Sequence, residues 1–311
     1  MKVESSMEFD PDKLISNLHD AFKGEVKKNE SLAPYTSYNI GGPTLVWLAP
    51  RTESDVGRVL TAVKAVNAPL FILGHGSNVL ISDKGWQGVT LHLGRNLSGW
   101  SFKGEYAEVF SGTRLTEFIQ AAVERGLAGM ELMAGIPGGV GGALQMNAGA
   151  FGQEIESTTL RVKGFRLDGT PFQAERDKLR FAYRQAPDLN EVVITSAVFQ
   201  FIRENTTTLK TRMADILALR AKKQPLGSPS CGSVFKRPKG YYASALIEEA
   251  GLKGERIGGA IVSRKHSGFV LNEAKATAAD VYALIRRIEG RVLERFGVKL
   301  EREVKLVGEF D

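Results

Sequence analysis

The feature that most constrains the fold is a glycine-dense run in the middle of the chain, GIPGGVGGALQMNAGAFG, which extends from Gly135 to Gly152. Glycine loses more conformational freedom on folding than any other residue, so such a run is costly unless the backbone must pass close to something. Its glycines are too many for a single turn, and we expect this backbone to wrap against a ligand. The candidate contacts in the run are Pro137, Gly138, Gly141, Gly142, Asn147 and Gly149.

A second glycine loop, GHGSN, directly follows a short apolar strand predicted from Leu70 to Leu73. Successive backbone N–H groups in such a loop can turn inward and hold a phosphate oxygen. Taken alone, this loop is also compatible with a plain turn at the end of a strand. Together, the two loops suggest a dinucleotide pyrophosphate held between subdomains. The candidate contacts in the second loop are Gly74, Gly76, Ser77 and Asn78.

Neither loop completes the GxGxxG fingerprint of the Rossmann fold, so a nucleotide-bearing cofactor would be held by another fold. A third glycine segment lies further towards the N-terminus, at Asn39, Gly41 and Gly42. It would either supply a further backbone contact to the cofactor or form only a structural turn.

The order of predicted elements divides the chain into three parts. Residues 1–30 are polar and weakly periodic, which predicts a surface helix or arm. Residues 31–204 are expected to form one domain of two subdomains, which separate near residues 85–95. The sequence pattern changes near residue 205, where a basic predicted helix begins, so residues 205–311 are expected to form a second domain.

Several element boundaries are also predicted. Thr52, with Asp55 three residues later, is typical of a helix start, and Thr277 with Asp280 repeats the pattern. A basic helix is expected to end at Lys223. Alternating apolar and charged residues predict a final strand over residues 298–307.

Composition excludes several classes of protein. The chain has 311 residues, 43% of them hydrophobic, which is enough for a sizeable core. No apolar stretch approaches the roughly 20 residues that cross a bilayer, and the N-terminal residues lack a secretory pattern, so we expect a cytoplasmic protein. Cys231 is the single cysteine, which excludes an intramolecular disulfide, and the four histidines lack ligand spacing, so no metal site is expected.

Positive charge is concentrated in one part of the sequence. The net charge is +6, but residues 201–300 carry 19 Lys or Arg against 9 Asp or Glu, which is +10 for that segment. A pocket for an anionic small molecule and a nucleic-acid surface are the two specific interpretations, and solvated helix faces are the third. No RNA-binding or helix-turn-helix pattern accompanies the charge, which disfavours nucleic acid.

The segment SPSCGSVFKRP places hydroxyls and a thiol next to cations. Ser233 has no GxSxG elbow around it and no histidine nearby in sequence, so proton donation suits it better than nucleophilic attack. Cys231 is interpreted as an inert thiol, with a reactive thiolate as the alternative. Lys236 and Arg237 supply the neighbouring positive charge.

Two further candidates lie outside that segment. Tyr183 and Arg184, in FAYRQAPDL, combine an aromatic ring with a permanently charged fork that suits a carboxylate, although Arg184 could equally be a surface ion-pair partner. Glu303 lies on the polar face of the predicted final strand and, from pattern alone, is a solvated charge.

Seven motifs, in order and with appropriate spacing, resemble the UDP-N-acetylenolpyruvoylglucosamine reductase family from about Ser31 to Gly308. They are LAPYTSYNIGG, ILGHGSNVLISD, GIPGGVGGALQMNAGAFG, FAYR, KKQPLGSPSCGSVFKRP, AGLKGERIGGAIVSRKHSGFVLN and LEREV.

The resemblance implies an α+β flavoprotein. Its fold would be the two-subdomain FAD-binding fold of the vanillyl-alcohol oxidase type, followed by an α+β substrate-binding domain. NADPH would reduce the FAD and leave, and the enolpyruvyl derivative of UDP-N-acetylglucosamine would then enter the same cleft and be reduced to UDP-N-acetylmuramate.

The resemblance also assigns residues. Flavin N5 would deliver hydride, Ser233 would protonate the adjacent carbon, Arg184 would hold the carboxylate, and Glu303 would position or polarise it. Lys223 would approach the substrate diphosphate, with Tyr183 and Arg237 as further substrate contacts.

This chain departs from the family pattern at two points. Some members have asparagine where this chain has Arg237, which changes the kind of contact there. The chain also lacks the segment with a substrate-clamping tyrosine, which indicates the shorter, second type.

Two other functions remain as alternatives. One is an FAD-linked oxidase of the same cofactor fold, and the other is a nucleotide-binding regulatory module that uses its basic half for nucleic acid. Under the main interpretation we expect a monomer whose partners are small molecules, with no nucleic acid and no membrane.

Overall fold

The computed structural model describes residues 9–18, 22–94 and 96–310. The helices, in chain order, are α1 Pro11–Leu18, α2 Glu53–Ala65, α3 Leu115–Glu124, α4 Val140–Gln145, α5 Thr206–Lys223, α6 Ala243–Glu249 and α7 Ala278–Phe296. The strands are β1 Glu25–Ser31, β2 Pro43–Ala49, β3 Leu70–Leu73, β4 Val79–Ile81, β5 Trp86–His92, β6 Trp100–Lys103, β7 Tyr106–Phe110, β8 Leu127–Ala128, β9 Gly149–Ala150, β10 Gln153–Glu154, β11 Thr159–Arg166, β12 Pro171–Glu175, β13 Val192–Gln200, β14 Ile202–Arg203, β15 Arg256–Ile257, β16 Ala260–Val262, β17 Val270–Asn272 and β18 Lys305–Val307.

The first subdomain is a four-stranded sheet of order β1-β2-β5-β3, covered on one face by α1 and α2. β2, β5 and β3 are parallel, and β1 is antiparallel to β2 at the edge. The predicted start of α2 is confirmed, because Thr52 and Asp55 cap each other's backbone N–H groups. Residues 25–30 differ from the predicted arm, since their backbone pairs with β2; residues 1–8 and 19–21 of that arm lie outside the described residues.

The second subdomain is a five-stranded antiparallel sheet of order β12-β11-β13-β7-β6. The chain enters it between the end of β5 and the start of β6. Its core centres on Phe118 of α3, which packs against Phe199 and Phe201. Helix α5 also packs here through Leu209. The first helix after the predicted boundary at residue 205 therefore packs against the second subdomain, and the third unit begins after it.

The third unit is a short antiparallel sheet of order β15-β16-β17, packed against α7 and bordered by α6. Helix α7 begins with the predicted capping box at Thr277 and Asp280, and it ends at Gly297, whose φ of 67° is left-handed. The buried face of α7 carries Val281, Leu284, Ile285, Ile288 and Val292.

The C-terminal segment connects the third unit to the first subdomain. The predicted strand over residues 298–307 is wrong for most of its length, because only β18 forms a ladder, parallel to β4. Residues 298–304 instead run along the serine loop, where Arg302 forms a single bridge with Phe235. No helix of the described residues is long and apolar enough to cross a membrane.

Candidate active site

A cleft of about 820 Å³ is lined by residues from all three units. Most of the predicted site residues lie on its walls, although they come from distant parts of the sequence. Those that line it are Gly74, Gly76, Ser77, Asn78, Pro137, Gly138, Gly141, Gly142, Gly149, Tyr183, Arg184, Ser233, Arg237 and Glu303.

Asn39, Gly41 and Gly42 do not line the cleft. Asn39 has a left-handed backbone with φ 55°, and the Gly42 N–H donates to the Ser82 carbonyl at 2.9 Å. A Cβ atom on Gly42 would lie 2.2 Å from the Asp83 carbonyl oxygen, so only glycine fits. The alternative interpretation, a structural turn, accounts for these residues.

Asn147 and Lys223 are also absent from the cleft walls. Asn147 is fully buried, and its amide donates to the Glu154 carboxylate at 2.9 Å and to the Ala182 carbonyl at 3.2 Å. Its amide group therefore supports the segment that carries Tyr183 and Arg184. Lys223 is exposed at the end of α5.

The GHGSN loop presents unpaired backbone donors to the cleft. The N–H groups of Gly76, Ser77 and Asn78 donate to no acceptor within the described parts of the chain. Gly76 has φ 60°, and a Cβ there would lie 2.2 Å from the Tyr35 carbonyl oxygen. A Cβ on Gly74, by contrast, would meet no atom within 4 Å. The N–H groups of this loop can therefore donate hydrogen bonds to anionic oxygens at close range.

The second glycine loop has the same property. Among the described residues, no acceptor receives the N–H groups of Gly138, Gly139 and Gly142. A Cβ on Gly142 would point into open space, whereas one on Gly141 would lie 2.8 Å from the Ser111 side chain. The Ser77 hydroxyl donates to the Pro137 carbonyl at 3.3 Å and so joins the two loops. Backbone donors on two facing loops form a cradle suited to a diphosphate.

Arg184 lies at the tip of a tight turn. Ala182 and Gln185 exchange both backbone hydrogen bonds, which leaves Tyr183 and Arg184 as the two central residues. Arg184 has φ 57°, an unfavourable conformation for a long side chain. Such strain is typical of functional positions, and here it directs the guanidinium towards the cleft.

Arg184 is paired with Glu303. Its Nε donates to a Glu303 carboxylate oxygen at 3.0 Å, and its Nη2 donates to the Gly149 carbonyl at 3.1 Å. Both side chains are about one-fifth exposed. Burial raises the pKa of Glu303 above its ordinary value, although Arg184 and the more distant Lys236 oppose the shift.

The backbone of Glu303 joins the two sides of the cleft. Its N–H donates to the Val234 carbonyl at 2.8 Å, and its carbonyl accepts from the Asn78 side-chain amide at 3.0 Å. Ser233 precedes Val234 and forms a single bridge with Phe269. Within the described residues, no group hydrogen-bonds the half-buried Ser233 hydroxyl, which is therefore available to a ligand.

Aromatic side chains and Arg237 form one end of the cleft. The Tyr183 hydroxyl accepts from the Arg237 backbone N–H at 3.3 Å. The Arg237 guanidinium lies 4.1 Å from the centre of the Tyr242 ring, a cation–π arrangement. Tyr183 and Tyr242 are both exposed there, which suits contact with a bulky ligand.

Several cleft residues were missed by the sequence analysis. Lys305 lies two residues beyond Glu303 on the same side of the chain; its side chain is open to the cleft, yet the surrounding protein lowers its pKa. Alternation along the strand was a signal for Lys305. His75 also lines the cleft and lies within the GHGSN loop, although only its neighbours were predicted as contacts. Arg220 and Gln224 line the cleft as well, and nothing in the local sequence distinguished them.

Comparison with known proteins decides the family. Residues 224–307 match the family model described as UDP-N-acetylenolpyruvoylglucosamine reductase, C-terminal domain, and residues 44–172 match an FAD binding domain. A UDP-N-acetylenolpyruvoylglucosamine reductase from Syntrophomonas wolfei is 40% identical over 95% of this chain and 100% of its own length. The chain belongs to the UDP-N-acetylenolpyruvoylglucosamine reductase family. The corresponding protein of Lactiplantibacillus plantarum is 41% identical over 92% of this chain and 94% of its own.

A solved structure supports the same family at the level of the fold. The UDP-N-acetylenolpyruvylglucosamine reductase of Thermus caldophilus superposes with a TM-score of 0.79, at 32% identity, over 92% of this chain and all of its own. The predicted α+β fold with an FAD-binding domain is confirmed. As a member of the reductase family, the chain has a cradle that fits FAD, because the unpaired loop N–H groups match the pyrophosphate and the open faces of Gly74 and Gly142 leave room for it.

Proposed function

We propose that the protein reduces UDP-N-acetylglucosamine enolpyruvate to UDP-N-acetylmuramate, with NADPH as reductant and FAD as carrier. The reaction would belong to peptidoglycan precursor synthesis in the cytoplasm. One observation carries the proposal: Arg184, Glu303 and Ser233 line the same cleft as the two glycine loops. A carboxylate-binding cation and a free hydroxyl thus lie in the same cleft as the phosphate cradle.

The cradle residues have the binding role. The N–H groups of Gly76, Ser77 and Asn78 would hold one side of the FAD diphosphate, and those of Gly138, Gly139 and Gly142 the other. Bound FAD supplies two-electron chemistry, taking hydride from NADPH and delivering it to the terminal methylene carbon of the enolpyruvyl ether.

Arg184 would bind the carboxylate of the enolpyruvyl group. When hydride reaches the methylene carbon, negative charge develops on the adjacent carbon and spreads into the carboxylate. A guanidinium already held in place by Glu303 and the Gly149 carbonyl needs little reorganisation to stabilise that charge. Glu303 would therefore position Arg184 and polarise the carboxylate end.

Ser233 would complete the reaction by protonating the carbon that bears this charge. Its hydroxyl is half-buried in the cleft and is not engaged by the described protein groups. The overall change is balanced: NADPH provides the hydride, and a proton from Ser233, replaced from solvent, saturates the second carbon.

The proposal is tested by two half-reactions measured separately under anaerobic conditions. We expect a flavin spectrum that bleaches with NADPH and returns when the UDP-linked enolpyruvyl sugar is added. Ser233→Ala should keep the first change and slow the second by about 10²–10⁴-fold, the usual contribution of a general acid. Ser228→Ala, an exposed hydroxyl in the same loop, is the control and should behave as wild type.

Two outcomes would reject the proposal. A protein that stays colourless after incubation with FAD has no flavin cradle. Reduction of the flavin by an alcohol, followed by reoxidation by oxygen and not by the enolpyruvyl sugar, would favour the FAD-linked oxidase instead.

A further inference from the structure

A second cavity, of about 340 Å³, lies between the segment that precedes α6 and the segment that follows α7. Its size is at the lower end of the range found for small-molecule sites. Its lining includes four cations, Lys236, Arg237, Lys239 and Lys299, and one carboxylate, that of Glu301. We call this cavity the basic pocket. The proposed reaction gives no role to Lys239 and Lys299, so the charge of the basic pocket needs a separate explanation.

The local sequence places Lys239 at the edge of the basic pocket. Pro238 to Tyr241 form a tight turn, in which the Tyr241 N–H donates to the Pro238 carbonyl at 3.1 Å. Gly240, at the third position of the turn, has φ 80°, which is typical of a type II turn and which glycine adopts without strain. Lys239 therefore occupies the exposed second position, and its side chain lines the pocket.

The other wall of the basic pocket is the segment after α7. Leu300 is buried, whereas Lys299 and Glu301 on either side of it are exposed, which is the alternation of an extended chain. The Lys236 N–H donates to the Glu301 carbonyl at 2.8 Å and so joins the two walls. Glu303, two residues further along, lines the cleft. One short segment therefore borders both cavities.

Three of the four cations have no acidic partner. The Lys236 ammonium pairs with the Glu301 carboxylate. Within the part of the chain that the structure describes, no carboxylate pairs with Arg237, Lys239 or Lys299. A concave site lined by one sign of charge concentrates the electric field and attracts a ligand of the opposite sign. The basic pocket is therefore suited to an anionic group.

The basic pocket is continuous with the cleft, because Arg237 lines both. Four residues separate Lys299 from Glu303, and a chain of that length spans at most about 14 Å. In the proposed reaction the nicotinamide of NADPH must reach the flavin in the cleft. The other half of NADPH carries a phosphate monoester on the adenosine ribose, in addition to the diphosphate. A dinucleotide can thus occupy the cleft and extend past Arg237 into the basic pocket.

We propose that Arg237, Lys239 and Lys299 bind the 2′-phosphate of NADPH and thereby select NADPH over NADH. Proteins that use NADP commonly place an arginine at this phosphate, whereas proteins that use NAD place a carboxylate at the ribose hydroxyl. The Arg237 guanidinium lies 4.1 Å from the centre of the Tyr242 ring, which holds its planar fork in one orientation. The inference rests on the proposed function and adds the basis of its choice of reductant.

The diphosphate of the UDP-linked substrate is the competing occupant. Arg237 lies within reach of a ligand in either cavity, whereas Lys239 and Lys299 line only the basic pocket. The two lysines are therefore the residues to replace. Binding of the 2′-phosphate predicts a loss with NADPH alone, whereas binding of the substrate diphosphate predicts a loss in the second half-reaction.

The test compares NADPH with NADH in the half-reaction that reduces the flavin of the holoenzyme, measured by anaerobic stopped-flow absorbance. In Lys239→Met/Lys299→Met, the second-order rate constant with NADPH should fall about tenfold, the combined effect of two exposed ion pairs. The rate constant with NADH should stay unchanged. Lys239→Arg/Lys299→Arg keeps both charges and should keep the wild-type preference for NADPH.

A binding measurement accompanies the rates. Adenosine 2′,5′-bisphosphate carries the 2′-phosphate without a nicotinamide, and adenosine 5′-monophosphate lacks that phosphate. Titration calorimetry of the holoenzyme should show about tenfold weaker binding of the bisphosphate to Lys239→Met/Lys299→Met. Binding of the monophosphate should not change. Both substituted lysines are exposed, so the variant should fold as the wild type does.

Lys103→Met/Lys210→Met is the matched control, because it removes two exposed lysines that line neither cavity. It should behave as wild type with both nucleotides. The inference is overturned if Lys239→Met/Lys299→Met keeps the wild-type rate with NADPH, loses equally with NADH, or slows only reduction of the UDP-linked substrate. Equal rates with NADPH and NADH in the wild-type protein would overturn it as well. A wild-type flavin that neither nucleotide reduces would instead reject the proposed function itself.

Discussion

The two sides of the cleft are built from different materials. The glycine loops present backbone N–H groups and leave space where side chains would be, as at Gly74 and Gly142. The other side, formed by Arg184, Glu303 and the Ser233 hydroxyl, presents side chains. A backbone cradle is damaged by any added side chain, whereas the other side is damaged by the loss of one. Binding and chemistry should therefore respond to opposite kinds of substitution.

The largest expected effect is on the chemical side. Arg184→Met should slow reduction of the enolpyruvyl substrate by about 10²–10³-fold, because a preorganised charge partner for the developing anion is lost. FAD affinity and flavin reduction by NADPH should stay close to wild type, as measured by anaerobic stopped-flow absorbance. Lys178→Met, an exposed cation in the preceding segment, serves as control. Equal losses in both half-reactions would remove the distinction between the two sides.

The reciprocal change adds a side chain to the cradle. Gly142→Leu should weaken FAD binding by at least about tenfold, since the new side chain occupies space that the cofactor needs. The apoprotein should not be destabilised, because leucine favours the α4 helix more than glycine does. Gly290→Leu in α7 is matched, since its Cβ also meets nothing within 4 Å and lies outside the cleft. Unchanged FAD affinity, measured by fluorescence titration, would contradict the cradle.

Asn78 connects the two sides, so its replacement should affect both cofactor binding and substrate reduction. Asn78→Ala deletes the 3.0 Å hydrogen bond from its amide to the Glu303 carbonyl. We expect a loss of about 1 kcal/mol in the free energy of unfolding, with moderate decreases in both FAD affinity and substrate reduction. Urea denaturation and the two half-reactions measure these quantities. An effect on one side alone would show that Glu303 is held in place without Asn78.

The smallest effect concerns the pH dependence of the chemical side. If ionised Glu303 is needed, substrate reduction should fail as pH drops through its raised pKa. Lys236 lowers that pKa, so Lys236→Met should raise it and move the acidic limb of the rate profile to higher pH. Lys239→Met, which removes a nearby exposed charge, should leave the limb in place. A shift to lower pH would contradict the role of Glu303.

The sequence predicted features that depend on local pattern. The capping boxes at Thr52 and Thr277 were read correctly, because a helix start is encoded within four residues. The glycine loops were also recognisable, since so many glycines in a short run indicate a backbone that passes close to a ligand. From pattern alone Glu303 was a solvated charge, and only the family resemblance marked it as a site residue.

Features that depend on distant contacts were not predictable. The pairing of β18 with β4 joins residues 305–307 to residues 79–81, and nothing in either segment specifies the partner. Asn147 was predicted to contact the cofactor, but in the structure its amide bonds to Glu154 and Ala182. The sequence does not show that these two residues lie around it. Arg220 resembled the other basic residues of α5, since its unpaired Nε exists only after α5 packs on Gly135.

The hydrogen bond between Asn78 and Glu303 spans 225 residues of sequence and has a consequence for synthesis on the ribosome. The first subdomain can acquire most of its sheet early, but β4 stays without β18 until residues 305–307 emerge. Contacts of such high order close slowly, because a long loop must be organised first. The cleft should therefore be the last part of the molecule to mature, and a nascent chain should be unable to retain substrate before its final segment is released.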